Sequence, residues 1–207
     1  MGLLAFTMKP LARWVLVLFF ALAVSACNTG MQAVNDPHVL VAPKGRAVLI
    51  LTQKMLGAVS GPLLDERGGC LGYTRSDAWF AARLPPGEQV IHLKDPDNML
   101  SVKIDVEAGK TYFLRAALKQ KGNGLDLIPI RPGSTEWREL DAYLASATQY
   151  AVDRKQCDST LSEMVWMPGQ DLPQLLAQGK KNANATELLI KADDGVAWRG
   201  SAKKSAR

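Results

Sequence analysis

The sequence predicts a mainly β protein: a small antiparallel, sandwich-like domain followed by a short α-helical C-terminal region. Three observations carry this. Between residues 46 and 131, short apolar runs recur at strand spacing and are separated by turns rich in Pro, Gly and Asp. The run "MLSVKIDVE" (99–107) alternates, with Val102, Ile104 and Val106 on one side and Ser101, Lys103, Asp105 and Glu107 on the other. After Arg131-Pro132-Gly133 the apolar period lengthens to that of a helix.

The expected strands follow one another closely. "RAVLIL" (46–51) is apolar and β-branched, and "MLGAV" (55–59) continues it or opens the next strand. "YTRSDAWFAARL" (73–84) carries aromatics at strand-like positions. "PPGE" (85–88) is a turn, because Pro fixes φ and Gly supplies the permissive position. "EQVIHLK" (88–94), the turn "DPDN" (95–98), "TYFLRAAL" (111–118), the loop "KGNG" (121–124) and "LDLIPI" (125–130) complete the series. Parallel pairing needs a crossover of about a dozen residues. The tight turns leave no room for one, so the sheet is expected to be antiparallel.

The segment "STEWRELDAYLASATQY" (134–150) reads as a helix capped by Ser134, with Trp137, Leu140, Tyr143 and Leu144 as its apolar stripe. "STLSEMVWM" (159–167) and "DLPQLLAQGK" (171–180) are further helices, the second bounded by Gly179. "ATELLIKA" reads as helix or strand.

The chain has 207 residues and a net charge of +5. That charge belongs to its ends: Lys9 and Arg13 precede an apolar run, and Arg199, Lys203, Lys204 and Arg207 form a basic tail. Residues 28–198 are near neutral. A nucleic-acid binder carries its basic excess on a folded face, so nucleic acid is not an expected partner. The tail reads as a solvated end, or as a contact for anionic headgroups or cell-wall polymers.

Trp14 to Ala26 is almost wholly apolar but only 13 residues long. As a helix it spans about 20 Å, short of a hydrocarbon core of about 30 Å. A basic start, an apolar middle and small residues before a cut make a secretory signal. "MKPLARWVLVLFFALAVSAC" is complete from Met8 as well as from Met1.

Val24-Ser25-Ala26-Cys27 resembles the lipobox of bacterial lipoproteins. The resemblance implies removal of residues 1–26 and lipid, palmitate included, on Cys27. Residue 28 is Asn rather than Asp. By resemblance to the sorting rule of enteric bacteria, this implies the periplasmic face of the outer membrane. The expected organisation is a signal peptide (1–26), lipidated Cys27 with a tether (27–45), a β domain (46–132), a helical extension (133–198) and a disordered tail (199–207).

Cys70 and Cys157 then remain. In an oxidising compartment the pair reads as a disulfide, or else as two separate buried thiols. A catalytic thiol at Cys70 would need a basic partner to lower its pKa. The two histidines, His38 and His92, sit in the tether and on a strand.

"WFAARLPPGEQVIHLK…SVKIDVEAGKTYFLRAAL" resembles lipoproteins with an uncharacterised β domain, and is similar to the small β modules named for their Pro-Glu-Gly-Ala turn. The resemblance covers about residues 46–131 and implies a sandwich-like fold and an envelope location, but no reaction. Members often have His two residues after the turn Gly, whereas Gln89 stands here.

HExxH, paired CxxC, GxSxG and phosphate-loop patterns are all absent from the sequence. "DPDN" and "DDG" (193–195) read as turns before they read as metal loops. No catalytic residue, metal or cofactor is expected beyond the lipid on Cys27. The reading is a non-catalytic, membrane-anchored module that binds another envelope protein or polymer. Tyr73, Arg75, Trp79 and Arg83 would form its contact surface if 73–84 is one unbroken strand, or Trp79 is simply core. The alternative is an envelope hydrolase with unidentified catalytic residues.

Overall fold

The computed structural model describes residues 30–54, 60–94, 99–119, 124–163 and 171–198. The expected signal peptide, Cys27, the 55–59 strand, the 95–98 turn, most of the 121–124 loop, residues 164–167 and the basic tail lie outside these residues.

Among the described residues, ten strands form two sheets. They are β1 (Met31–Val34), β2 (Ala47–Gln53), β3 (Pro62–Leu64), β4 (Cys70–Tyr73), β5 (Ala78–Leu84), β6 (Gly87–Lys94), β7 (Met99–Val106), β8 (Thr111–Leu118), β9 (Leu125–Pro129) and β10 (Thr148–Val152). The larger sheet has the order β1-β10-β5-β2-β8-β9, and the smaller has β4-β3-β6-β7. The helices are α1 (Thr135–Ser146), α2 (Arg154–Glu163) and α3 (Leu172–Asn184). The protein is therefore mainly β with some helix, as expected.

The inner faces of the two sheets share one core. Alternate residues supply it: Leu49 and Leu51 of β2, Phe80, Ala82 and Leu84 of β5, and Tyr112, Leu114 and Ala116 of β8 face Leu63, Ile91, Leu93, Ile104 and Val106 of the smaller sheet. The outer face of the larger sheet is also apolar. Val48, Ile50, Trp79 and Phe113 pack beneath Trp137, Leu140 and Leu144 of α1, with Leu40, Val196 and Trp198 alongside. β2 is thus covered on both faces and buried along its whole length, which is why its sequence is a near-continuous apolar run.

Four expectations change. First, the smaller sheet is antiparallel, but the larger is mixed: β2 pairs with β8 in parallel, and β10 with β5 in parallel. The crossovers are not short loops. The chain from β2 to β8 passes through β5 and the whole of the smaller sheet.

Second, the helix expected over 134–150 stops at Ser146. Ser134 does cap it, accepting from the Trp137 N–H at 3.1 Å. Ala147 then turns extended, and "TQYAV" enters the larger sheet as β10. The region 133–198 is therefore part of the β domain and not an appended helical extension.

Third, the expected tether is largely folded. β1 pairs with β10, and a 3-10 turn at Pro37–Leu40 sends Leu40 into the outer apolar layer. Fourth, Gly179 lies inside α3 rather than ending it. It lets α3 lie directly against β7, since a side chain there would collide with Ser101 Oγ.

Residues 188–196 form a strap. The Leu189 N–H donates to Lys103 O and the Asp105 N–H to Ile190 O, which covers part of the edge of β7. The strap then reaches Thr111, which exchanges two backbone hydrogen bonds with Val196. Tyr112 Oη donates to Ala192 O at 3.0 Å and accepts from the Glu107 N–H at 2.8 Å.

Cys70 of β4 and Cys157 of α2 are joined as a disulfide, with Cα atoms 5.8 Å apart and a sequence separation of 87. Asp158 accepts the Cys70 N–H at 2.7 Å, and Arg154 pairs with Asp65 of the neighbouring hairpin. Closing a loop of this length stabilises a fold by about 4–5 kcal/mol in the chain-entropy description. The double variant Cys70→Ser/Cys157→Ser is expected to lose most of this in urea denaturation, with wild type under reducing conditions following it.

Candidate functional site

Two of the polar clusters among the described residues bear on function. The first is an open groove of about 440 Å³ lined by Lys54, Asp77, Tyr143, Ser146 and Ala147. It lies where β2 ends, β5 begins and α1 passes into β10. Lys54 Nζ pairs with Glu139 at 2.9 Å and sits 5.8 Å from the centre of the Tyr143 ring. Tyr143 Oη lies 2.7 Å from Gln53 O and 3.2 Å from Ala78 O, within reach as donor to either. Burial, and then the nearby Asp77 carboxylate, push the Tyr143 phenol up to about 12. The phenol is therefore a fixed donor tying α1 to the ends of β2 and β5, not an acid poised near neutrality. Asp77 holds a left-handed φ of 50° in the turn that leads into β5.

The second place is the contact of α3 with the smaller sheet. His92 Nδ1 lies 2.7 Å from Ser101 Oγ across the β6–β7 pair. A hydroxyl beside an imidazole is the geometry of an activated nucleophile. Here the pair is sealed. His92 is 0% exposed, and Ser101 Oγ lies directly against Gly179 of α3. Burial lowers the His92 pKa to about 4, outweighing the opposing pull of Asp65 and Glu66. Its Nε2 has no hydrogen-bond partner among the described residues. The imidazole is neutral at ordinary pH and acts as a packed core group.

The four residues expected on one strand face do not share one. The segment 73–84 is broken by the Thr74–Asp77 turn, which carries the chain from the smaller sheet to the larger. Tyr73 ends β4, is buried and donates its N–H to Met31 Sδ at 3.0 Å. Trp79 is 4% exposed and donates its Nε1–H to Leu144 O at 3.1 Å, so it is core under α1. Arg75 stacks on the Tyr150 ring at 5.0 Å. Arg83 alone is openly exposed. The break was hidden because Ser76 and Asp77 sit between two aromatic runs that each look like part of one strand.

The groove itself had little sequence signal. Tyr143 stood out only as a member of the helical stripe, and Lys54 and Asp77 come from loops 23 residues apart in sequence. "DDG" is a 3-10 turn in which Asp194 accepts the Lys191 N–H and pairs with Arg131 at 2.9 Å. Among the described residues no group of three His, Cys, Asp or Glu side chains could hold a metal ion. No described helix is long and apolar enough to cross a membrane. Comparison with known proteins finds no family model that matches the chain and no curated protein that matches it.

The groove presents a cation, a carboxylate, an aromatic ring and a hydroxyl at one opening. Two outcomes follow. Unfolding takes up a proton at His92 between about pH 6.5, where a free imidazole titrates, and about pH 4, where the folded one does. Its contribution is complete above pH 6.5 and falls as pH drops, by up to about 3 kcal/mol near pH 4. Urea titrations from pH 7.5 to 4 should show this slope, and His92→Asn should flatten it. Tyr143→Phe should cost about 1–2 kcal/mol by thermal denaturation, for the loss of its buried hydrogen bonding.

Proposed function

We propose that the chain is a non-catalytic lipoprotein module of the bacterial cell envelope, anchored by lipid on Cys27 at the periplasmic face of the outer membrane, where it binds another envelope protein or polymer. The observation that carries this reading is the Cys70–Cys157 disulfide. Such bonds belong to oxidising compartments. The bridge uses two of the three cysteines in the sequence and leaves Cys27, behind its basic and apolar leader, for the lipid.

A binding role is supported by the closure of the Ser101–His92 pair beneath α3 and by the open, polar character of the groove beside Tyr143. The groove replaces the proposed Tyr73, Arg75, Trp79 and Arg83 face as the contact region. β2–β9 fall within the span that resembles the Pro-Glu-Gly-Ala turn modules, and membership of that group is part of the proposal.

The test is expression of the full chain in a Gram-negative host with a labelled fatty acid. Wild type should take up the label, and the mature form should fractionate with the outer membrane. Cys27→Ala should accumulate as an uncut, unlabelled precursor. Normal processing of Cys27→Ala would overturn the proposal.

A further inference from the structure

The distance between the proposed anchor and the first described residue limits how the domain meets the membrane. Only three peptide steps separate Cys27 from Gly30, and they span at most about 11 Å. A fold of this length is about 40 Å across. A tether so short compared with the body it carries cannot let an arbitrary face approach the bilayer.

Gly30 is itself firmly held. It adopts a left-handed φ of 68°, and a side chain there would strike the backbone of Cys157. Its carbonyl accepts the Asp153 N–H at 2.7 Å. The exit point is thus built into the first turn of α2, which the disulfide locks to β4.

The strand register then gives direction. β1 runs antiparallel to β10, with Met31 opposite Val152. Val152 and Gly30 therefore lie at one end of the β10 ladder and Thr148 at the other. Thr148 donates its N–H to Asp77 O, and Ala147 lines the groove. The groove is a strand length, about 13 Å, farther from the anchor along β10.

We propose that the lipid on Cys27 seats the Gly30 end of the larger sheet, with the first turn of α2, on the lipid headgroups, so that the groove of Lys54, Asp77 and Tyr143 faces away from the membrane. This rests on the lipoprotein reading above. The seated end is polar: Asp153, Arg154 and Lys155 are exposed there. The domain rests on headgroups and does not insert.

The experiment uses the full-length lipidated protein, isotopically labelled and placed in nanodiscs of phosphatidylethanolamine and phosphatidylglycerol containing a gadolinium-chelate lipid. Mass spectrometry of the N-terminal peptide reports the lipid on Cys27 separately. Paramagnetic broadening should be several-fold stronger at the amides of Gly30 and Asp153–Cys157 than at Asp77, Ser146 and Ala147. Inserting twenty Gly/Ser residues between Thr29 and Gly30, with a reach of about 25 Å, should flatten the gradient while the lipid is retained. An even or reversed gradient in the lipidated wild type overturns the orientation and leaves the lipoprotein reading standing, as does a gradient that survives the linker. Absence of lipid on Cys27 overturns both.

Discussion

The insertion of β10 between β1 and β5 is the constraint on which the arrangement of the chain depends. β10 gives one edge to β1 in antiparallel register and the other to β5 in parallel. Without it β1 would have no sheet to join, and α1 and α2 would lack their common hinge. Its position also brings Gly30 against Cys157. Ladder hydrogen bonds, a close backbone approach and a disulfide therefore act on the same few residues. That convergence makes segments more than a hundred positions apart in sequence parts of one body.

The polar groups that chemistry might have used are given to structure. The Tyr143 hydroxyl fastens a helix to two strand ends, and Tyr112 fastens the strap to β7 and β8. The His92 ring sits in the seam between β6, β7 and α3. In each case burial holds the group in its neutral form, and a neutral buried donor or acceptor is a better fastener than a charged one. The groove beside Tyr143 remains open at the surface.

Much of the sheet was legible because period-two burial writes itself into the residues. Ile104 and Val106 point inward, whereas Ser101 meets α3. The Ser134 cap was legible for a similar reason, since its hydrogen bond is local. The missed elements have partners far away. β1 buries only Met31 well, and β10 is half exposed, so neither shows an alternating pattern. The parallel pairs escaped notice because a reading of turns tests only neighbours in sequence, while β2 and β8 are brought together by everything between them. The groove was illegible on the same ground: its walls are three chain segments whose meeting is a property of topology. Gly179 misled because a glycine near a helix end suggests a stop, when its use here is to let α3 touch β7.

The strap at 188–196 has a consequence for how the molecule behaves in a crowd. An uncovered strand offers a row of unpaired amides and carbonyls to any other extended chain, the first step of runaway self-association. β7 would present such a row, with eight residues and apolar side chains at alternate positions. Leu189 and Ile190 occupy part of it from within the same chain. A proteolytic cut that released the residues beyond α3 would therefore do more than loosen the C-terminus. It would uncover the edge of β7 as a template for other extended chains, and self-association would be the symptom of losing the strap.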